Sequence, residues 1–307
     1  MQLDGFLLFF FVIILGYTAA RCRLVPRAAA EALSPVLMNV LFPAMLLRSF
    51  STTDPQALLR TGLPVVAATA VFSLLPFFVS RWLLRKQEVQ RRALLGFISG
   101  VGNTSFVCIP LLSLFLGKEA MLIVFTHGAV MDFLIWGVHH QIFVGSGSRD
   151  WKKIAKKLCT SPCLLAVVTG IVLAVLHVQL PSFITTTLDA LKAAVSPVAL
   201  LMIGILICDY GALSWCKSPT AIYYTLWKVL VLPCLVFAVL YFFLPLRTAL
   251  VLAIVFGSPA PVMGVLWCKQ YGGDAALAVD CLVPSTLLYF LVMGGALLAL
   301  TANGILV

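Results

Sequence analysis

Charge is scarce in this chain of 307 residues. Only 10% of its residues are charged and 62% are hydrophobic, against roughly a quarter charged in an ordinary soluble domain, so a water-soluble globular fold is excluded. Acids are scarcer than bases, 11 against 21, and the formal net charge is +10. The basic residues fall in short clusters between apolar runs instead of gathering on one polar domain, which excludes a nucleic-acid partner and reads as an orientation signal. C-x-x-C spacing is absent: the closest of the nine cysteines are Cys159 and Cys163, with no histidine nearby, so neither a metal site nor a cofactor is expected. There is no H-E-x-x-H and no G-x-S-x-G. The stretch Gly272-Gly273-Asp274 lies at the edge of an apolar run, with its first glycine misplaced for the G-x-G-D of intramembrane aspartyl proteases.

What the chain has is length in apolar runs. A bilayer core takes about 20 helical residues, and ten runs fit, near 3–20, 29–50, 62–84, 93–116, 121–144, 162–178, 184–208, 218–243, 247–268 and 275–301. The first has no basic residue before its apolar stretch and arginines after it, so it reads as a span and not as a leader. Fifteen lysines and arginines lie on the odd-numbered loops and five on the even-numbered ones, which predicts odd loops in the cytoplasm and both termini outside. The basic stretch RDWKKIAKKL (149–158) reads as a linker or as a helix lying on the lipid surface.

The sequence also repeats itself. Arg92, Gly102-Asn103 and Gly117-Lys118-Glu119-Ala120 recur 155 positions later as Arg247, Gly257-Ser258 and Gly272-Gly273-Asp274-Ala275, and Ser34-Pro35-Val36 recurs as Ser196-Pro197-Val198 at an offset of 162. Each match links a span to the fifth span after it. Five is odd, so the copies enter the membrane from opposite sides, as in secondary transporters whose substrate site lies between inverted repeats. The expected fold is therefore all-α and integral to the membrane, with residues 1–148 as the first five-helix repeat, 149–161 as the linker and 162–307 as the second repeat.

Spans four and nine both break midway. The fourth carries Gly100, Gly102, Asn103, Thr104 and Ser105 and then Pro110; the ninth carries Gly257, Ser258, Pro259, Ala260, Pro261 and Gly264. Proline lacks the N–H of a continuous helix and is tolerated at the start of a new one. Asn103 or Thr104, and Ser258, are expected to cap the restarted halves. Unpaired backbone in lipid costs several kcal/mol per group, so such breaks belong in protein or beside a watery cavity. Each restarted helix aims N–H groups and the positive end of its dipole at the midplane, a receptor for a carboxylate. Five other prolines, Pro35, Pro43, Pro64, Pro76 and Pro233, read as kinks, and Gly100 and Gly102 also suit close helix contact.

The run Gly102-Asn103-Thr104-Ser105-Phe106-Val107-Cys108-Ile109-Pro110-Leu111 resembles the G-N-x-G-F-x-G-x-P-L run of the auxin efflux carrier family, which includes malate and malonate permease-like bacterial proteins. Leu41-Phe42-Pro43, Ser196-Pro197-Val198-Ala199-Leu200 with Ile203-Gly204, the Pro259 and Pro261 crossover, and Tyr271-Gly272-Gly273-Asp274 leading into Ser285-Thr286-Leu287-Leu288 extend the resemblance over nearly the whole chain. It implies ten helices in two inverted halves, crossed broken helices four and nine, scaffold and transport domains, a homodimer, organic-anion transport, and Asn103 facing the substrate carboxylate. Two glycines of the family's run are replaced here by Ser105 and Cys108, which implies a narrower or more polar pocket. A bacterial plasma membrane is the implied location.

Ionisable residues inside spans default to function. Asp132 follows His127 in span five and Lys228 lies in span eight; the three form a candidate coupling or charge network, with hydrogen-bonded packing as the other reading. Asn39 in span two is a candidate cavity residue or packing group. His139 and His140 are expected at the membrane interface. The substrate-binding set is thus Asn103, Thr104, Ser105, Ser258, Pro259, Ala260 and Asn39, with lipid around the chain. Coupling to H⁺, coupling to Na⁺ and uniport stay open, and a sodium-coupled symporter of the bile-acid type, an intramembrane enzyme and a channel are the alternatives to an organic-anion carrier.

Overall fold

The computed structural model describes residues 2–26, 28–144, 156, 159–210 and 218–304, so the basic stretch at 149–158 lies almost wholly outside the described residues. Those residues are helical throughout, with no strand. In chain order the helices are α1 (Gln2–Arg21), α2 (29–51), α3 (Pro55–Leu83), α4 (Val89–Gly100), α5 (104–115), α6 (118–144), α7 (Pro162–Val175), α8 (Ser182–Tyr210), α9 (219–240), α10 (Leu246–Phe256), α11 (Val262–Tyr271) and α12 (Ala275–Ala302). Seven stretches are long and apolar enough to cross a bilayer: Ala32–Ser51, Pro55–Leu83, Val89–Ser113, Glu119–His139, Ser182–Cys208, Pro219–Leu240 and Ala275–Ala302. Three shorter apolar helices, Phe10–Arg21, Pro162–Val175 and Leu246–Phe256, accompany them. The chain is an integral, multi-pass membrane protein.

Proline shapes several helices without breaking them. Pro43, Pro110 and Pro233 each follow a π turn, at Leu37–Leu41, Thr104–Cys108 and Trp227–Val231. A proline ring crowds the carbonyl four residues back and offers it no N–H, and a wider turn relieves both. Pro64 and Pro76 sit inside the 29 residues of α3.

Packing sorts the helices into two groups that interleave along the chain. In the first, α1 lies along α8 and α7 lies along α2, which also meets α8. Gly16 and Gly204 make the α1–α8 contact: a methyl on Gly16 would collide with the Leu201 carbonyl, and one on Gly204 with the Ile13 carbonyl. Gly170 similarly lets α7 approach Phe50 of α2. Small residues that admit a neighbouring backbone are how membrane helices gain contact without a hydrophobic driving force. In the second group α3 packs on α4 and α6, α9 on α10 and α12, α11 on α12, and α10 on α6. The groups meet chiefly where α8 faces α5 and its π turn. At the face bearing loops 52–54 and 116–117, Arg48 of α2 holds Asp189 of α8 through contacts of 2.8 and 3.0 Å, and Arg247 of α10 holds Glu119 of α6 at 3.2 Å.

Candidate functional site

Both expected breaks are present, and they touch. After Gly100 the backbone becomes extended at Val101 (φ −114°, ψ 141°), and α5 begins at Thr104. After Phe256 the chain runs without helix through Ser258–Pro261 and restarts at Val262. The Asn103 N–H donates to the Pro259 carbonyl at 2.8 Å, a main-chain bond from one break to the other. Gly102 lies so close to Ser258 that a methyl there would collide with Ser258 Oγ and stand 3.1 Å from its carbonyl oxygen.

Every N–H in the second break has a partner, as buried backbone requires. Gly257 donates to Ala253, Ser258 to Val255 at 3.0 Å, and Ala260 to Ser285 Oγ at 3.1 Å, while Pro259 and Pro261 have no N–H to satisfy. One carbonyl near the end of each first half faces a phenol. The Tyr224 hydroxyl of α9 donates to Ile98 O at 2.8 Å, and the Tyr289 hydroxyl of α12 lies 3.3 Å from Ile254 O and 3.2 Å from Cys108 Sγ.

The expected side-chain caps do not form. Asn103 precedes α5 without a side-chain hydrogen bond to its first turn, and α11 starts after Pro261, too far along the chain for Ser258 to reach. Because Pro259-Ala260-Pro261 is extended, the restart falls four residues beyond Ser258. The starts of α5 and α11 are therefore free of capping side chains, and the hydroxyls of Thr104 and Ser258 are buried without hydrogen-bond partners among the described residues.

Two cavities lie between the helix groups. The smaller, about 20 Å³, is lined by Asn103 and Val107, by Ile203, Leu206 and Ile207 of α8, and by Val262, Leu282, Val283 and Thr286. That is room for roughly one water. The larger, about 580 Å³, lies at the face bearing loops 52–54 and 116–117. Ser49, Ser113, Ser196, Lys192 and Glu119 give it polar walls, and Met45, Ile109, Leu122 and Phe125 apolar ones. Its volume falls in the range of small-molecule sites. Of the candidate substrate residues, Asn103 lines the small cavity, Thr104, Ser258, Pro259 and Ala260 are buried around it, and Ser105 is half-buried. Asn39 is exposed on the π turn of α2, apart from both cavities.

Behind the breaks is a polar cluster that only partly matches the expected network. Lys228 is fully buried and its Nζ has no hydrogen-bond partner among the described residues. It lies within electrostatic range of His127 and His139, both buried. His127 Nδ1 is 3.1 Å from Thr69 Oγ1, and His139 Nε2 is 3.1 Å from Ser73 Oγ. His127 stacks edge-on against Phe256, the last residue of α10, and His139 Cε1 would be 3.3 Å from a methyl on Gly100, the last residue of α4. Each imidazole thus backs the end of one interrupted half. Asp132 is elsewhere, beside Cys163 of α7, and no ion pair joins it to Lys228. His139, expected at the interface, is in the core, because the π turn Ile135–His139 carries it inward against Phe77 and Phe97. His140 instead meets Tyr271 at 3.1 Å. Thr69 and Ser73 escaped sequence reading as single hydroxyls in apolar runs, and Ser285 entered it only as part of the family resemblance. One signal was available for Ser73: it is the counterpart of Lys228 at the repeat offset of 155.

The model of the family described as "Membrane transport protein" matches the chain over residues 6–153 and 149–295. The chain belongs to that family. This bears out the resemblance to auxin efflux carriers drawn from the Gly102-to-Leu111 run. Among curated members, the chain is 27% identical over 213 residues to a protein of Rhizobium meliloti named "Putative malonate transporter", covering 66% of each chain. It is 24% identical over 214 residues to an uncharacterized transporter of Methanocaldococcus jannaschii, covering 67% of this chain and 68% of that one. The chain's match thus spans about two thirds of the length of these family members.

Proposed function

We propose that the chain is a secondary carrier that moves a small organic anion by alternating access around the paired breaks. The observation that carries this is the bond from Asn103 N–H to Pro259 O, since it brings two interrupted helices together with uncapped starts. Amide-rich helix starts bind a carboxylate without a full charge of the protein's own at the contact. The relative named for malonate supports a carboxylate as cargo. Ten spans in two inverted repeats is the fold we infer, with the short helices α1, α7 and α10 counted among them. The interleaving supports it, since α1 and α2 share a group with α7 and α8, which follow them by five spans, while the spans of α3 to α6 join those of α9 to α12. We place the odd loops in the cytoplasm from their basic residues.

In this conformation the space at Asn103 is too small for a carboxylate, while the larger cavity is open at the even-loop face. We read that cavity as the outer vestibule and the contact of α8 with α5 as the surface on which the two groups slide. Lys228 lends positive potential to the path and weighs against the sodium-coupled alternative, since a buried ammonium behind the breaks repels a second cation.

The test is anion binding by the purified chain, read as a thermal shift with malonate and with aromatic monocarboxylates. Asn103→Ala keeps the backbone bond to Pro259 and removes the side chain from the small cavity. It is expected to abolish the shift at unchanged basal melting temperature; an undiminished shift refutes the assignment.

A further inference from the structure

The turn between α3 and α4 gathers Arg81, Arg85, Lys86, Arg91 and Arg92 on the odd-loop face. Two of them converge from opposite sides of the turn. Arg81, in the last turn of α3, and Arg92, in the first turns of α4, lie within electrostatic range of each other. Both are half-buried, and Arg81 Nη1 and Arg92 Nε are buried with no hydrogen-bond partner among the described residues. Like charges brought together with unmet N–H groups are unfavourable unless an anion joins them.

The helix start makes the same demand. The first turn of a helix favours negative charge, yet that of α4 carries Arg91 and Arg92, and the side chain of its N-cap residue Glu88 makes no capping bond. Arg91 is engaged elsewhere, donating to Thr220 Oγ1 at 3.1 Å. Beside the pair, Trp82 and Leu83 are about two-thirds exposed, at 65% and 66%, and the Arg85 guanidinium stacks over Trp82 at 5.8 Å. An indole at the end of a membrane helix sits at headgroup depth, with acyl chains alongside.

We propose that Arg81 and Arg92 hold the phosphate of an anionic phospholipid in the leaflet on the odd-loop side, its acyl chains running past Trp82 and Leu83. Two guanidinium groups grip a phosphate with paired N–H bonds, and basic sites at this depth between membrane helices are lipid headgroup sites. Free phosphate shares the headgroup chemistry but gains nothing from Trp82 and Leu83.

The full chain is purified in detergent, and bound lipid is counted by native mass spectrometry after equilibration with mixed phosphatidylglycerol and phosphatidylcholine. The wild type is expected to retain phosphatidylglycerol preferentially. Each of Arg81→Gln and Arg92→Gln should lower that preference about fivefold, and the pair together more, while Arg85→Gln leaves the two-arginine site in place and changes it less. Millimolar inorganic phosphate should not displace the lipid. If the double glutamine variant does not fold, the double lysine variant decides: it keeps both charges but loses the planar fork, and the preference should still fall severalfold. A preference unchanged in whichever double variant is folded, or displacement by inorganic phosphate alone, overturns the proposal.

Discussion

Replacing Gly102 by alanine tests whether the two breaks are packed together. The added methyl would collide with Ser258 Oγ and lie 3.1 Å from Ser258 O and 3.2 Å from Ser258 Cβ. Rotation of the serine hydroxyl relieves the first contact but neither of the others, so backbone must move. Overpacking of this kind costs about 1–3 kcal/mol. Separating the breaks also weakens the bond from Asn103 N–H to Pro259 O, and a typical hydrogen bond contributes about 1 kcal/mol net. The expected loss is therefore about 2–4 kcal/mol, which at roughly 2–4 °C per kcal/mol for a large domain lowers the melting temperature in detergent by about 4–16 °C. The decisive measurement is the double-mutant cycle with Ser258→Gly. That change removes both Oγ and Cβ, so Gly102→Ala should cost at least about 1 kcal/mol less in its presence, within the range for residues in contact. Additive losses, or a Gly102→Ala protein as stable as wild type, would refute the contact.

Three further changes separate stability from function. Lys228→Met removes a buried amine whose Nζ has no hydrogen-bond partner among the described residues, and relieving such an unmet buried group is worth about 1–3 kcal/mol. Melting should hold or rise while anion uptake into proteoliposomes falls; a protein that loses stability and keeps uptake contradicts the role given to Lys228. Ser285→Ala takes the acceptor from the Ala260 N–H, leaving a buried amide unmet at about 1–3 kcal/mol, and should speed exchange of that amide in hydrogen–deuterium exchange. Tyr289→Phe leaves Ile254 O without its hydroxyl at a similar cost of about 1–3 kcal/mol, seen as a lower melting temperature, whereas phenylalanine substitution at the exposed Tyr223 should have no effect.

Much of this architecture could be read from residue order, for stated reasons. Glycine and proline act on the backbone wherever they stand, so Gly102-Asn103 and Gly257-Ser258-Pro259 located both breaks before any contact was known. The point at which each helix resumes could not be read in the same way. Ser258 has the chemistry of a cap, but the chain stays non-helical through Pro259-Ala260-Pro261 and the start moves to Val262, since each proline disfavours helix at the residue before it. His139 looked peripheral because it stands near the end of its span, and the π turn Ile135–His139 carries it inward. The network of Asp132, His127 and Lys228 was assembled from their rarity in apolar runs and from the spacing of His127 and Asp132 along one span. Rarity finds charged residues in apolar runs, but it does not say which neighbours they face, and Asp132 faces α7. The sorting of helices into interleaved groups depends on Gly16, Gly204 and Gly170, whose fit against backbone carbonyls and a phenyl ring is a matter of shape.

The tyrosines over Ile98 O and Ile254 O give the paired breaks a sign. An interrupted helix ordinarily exposes two opposed poles at the gap, acceptor-rich on one side and donor-rich on the other, and an ion of either charge could settle there. Here one carbonyl of each acceptor pole lies beside a phenol, Ile98 O receiving the Tyr224 proton and Ile254 O standing 3.3 Å from the Tyr289 hydroxyl, while no side chain caps the donor poles. On the proposed function, selectivity for anions over cations would then draw on main chain and two phenols as well as on Lys228.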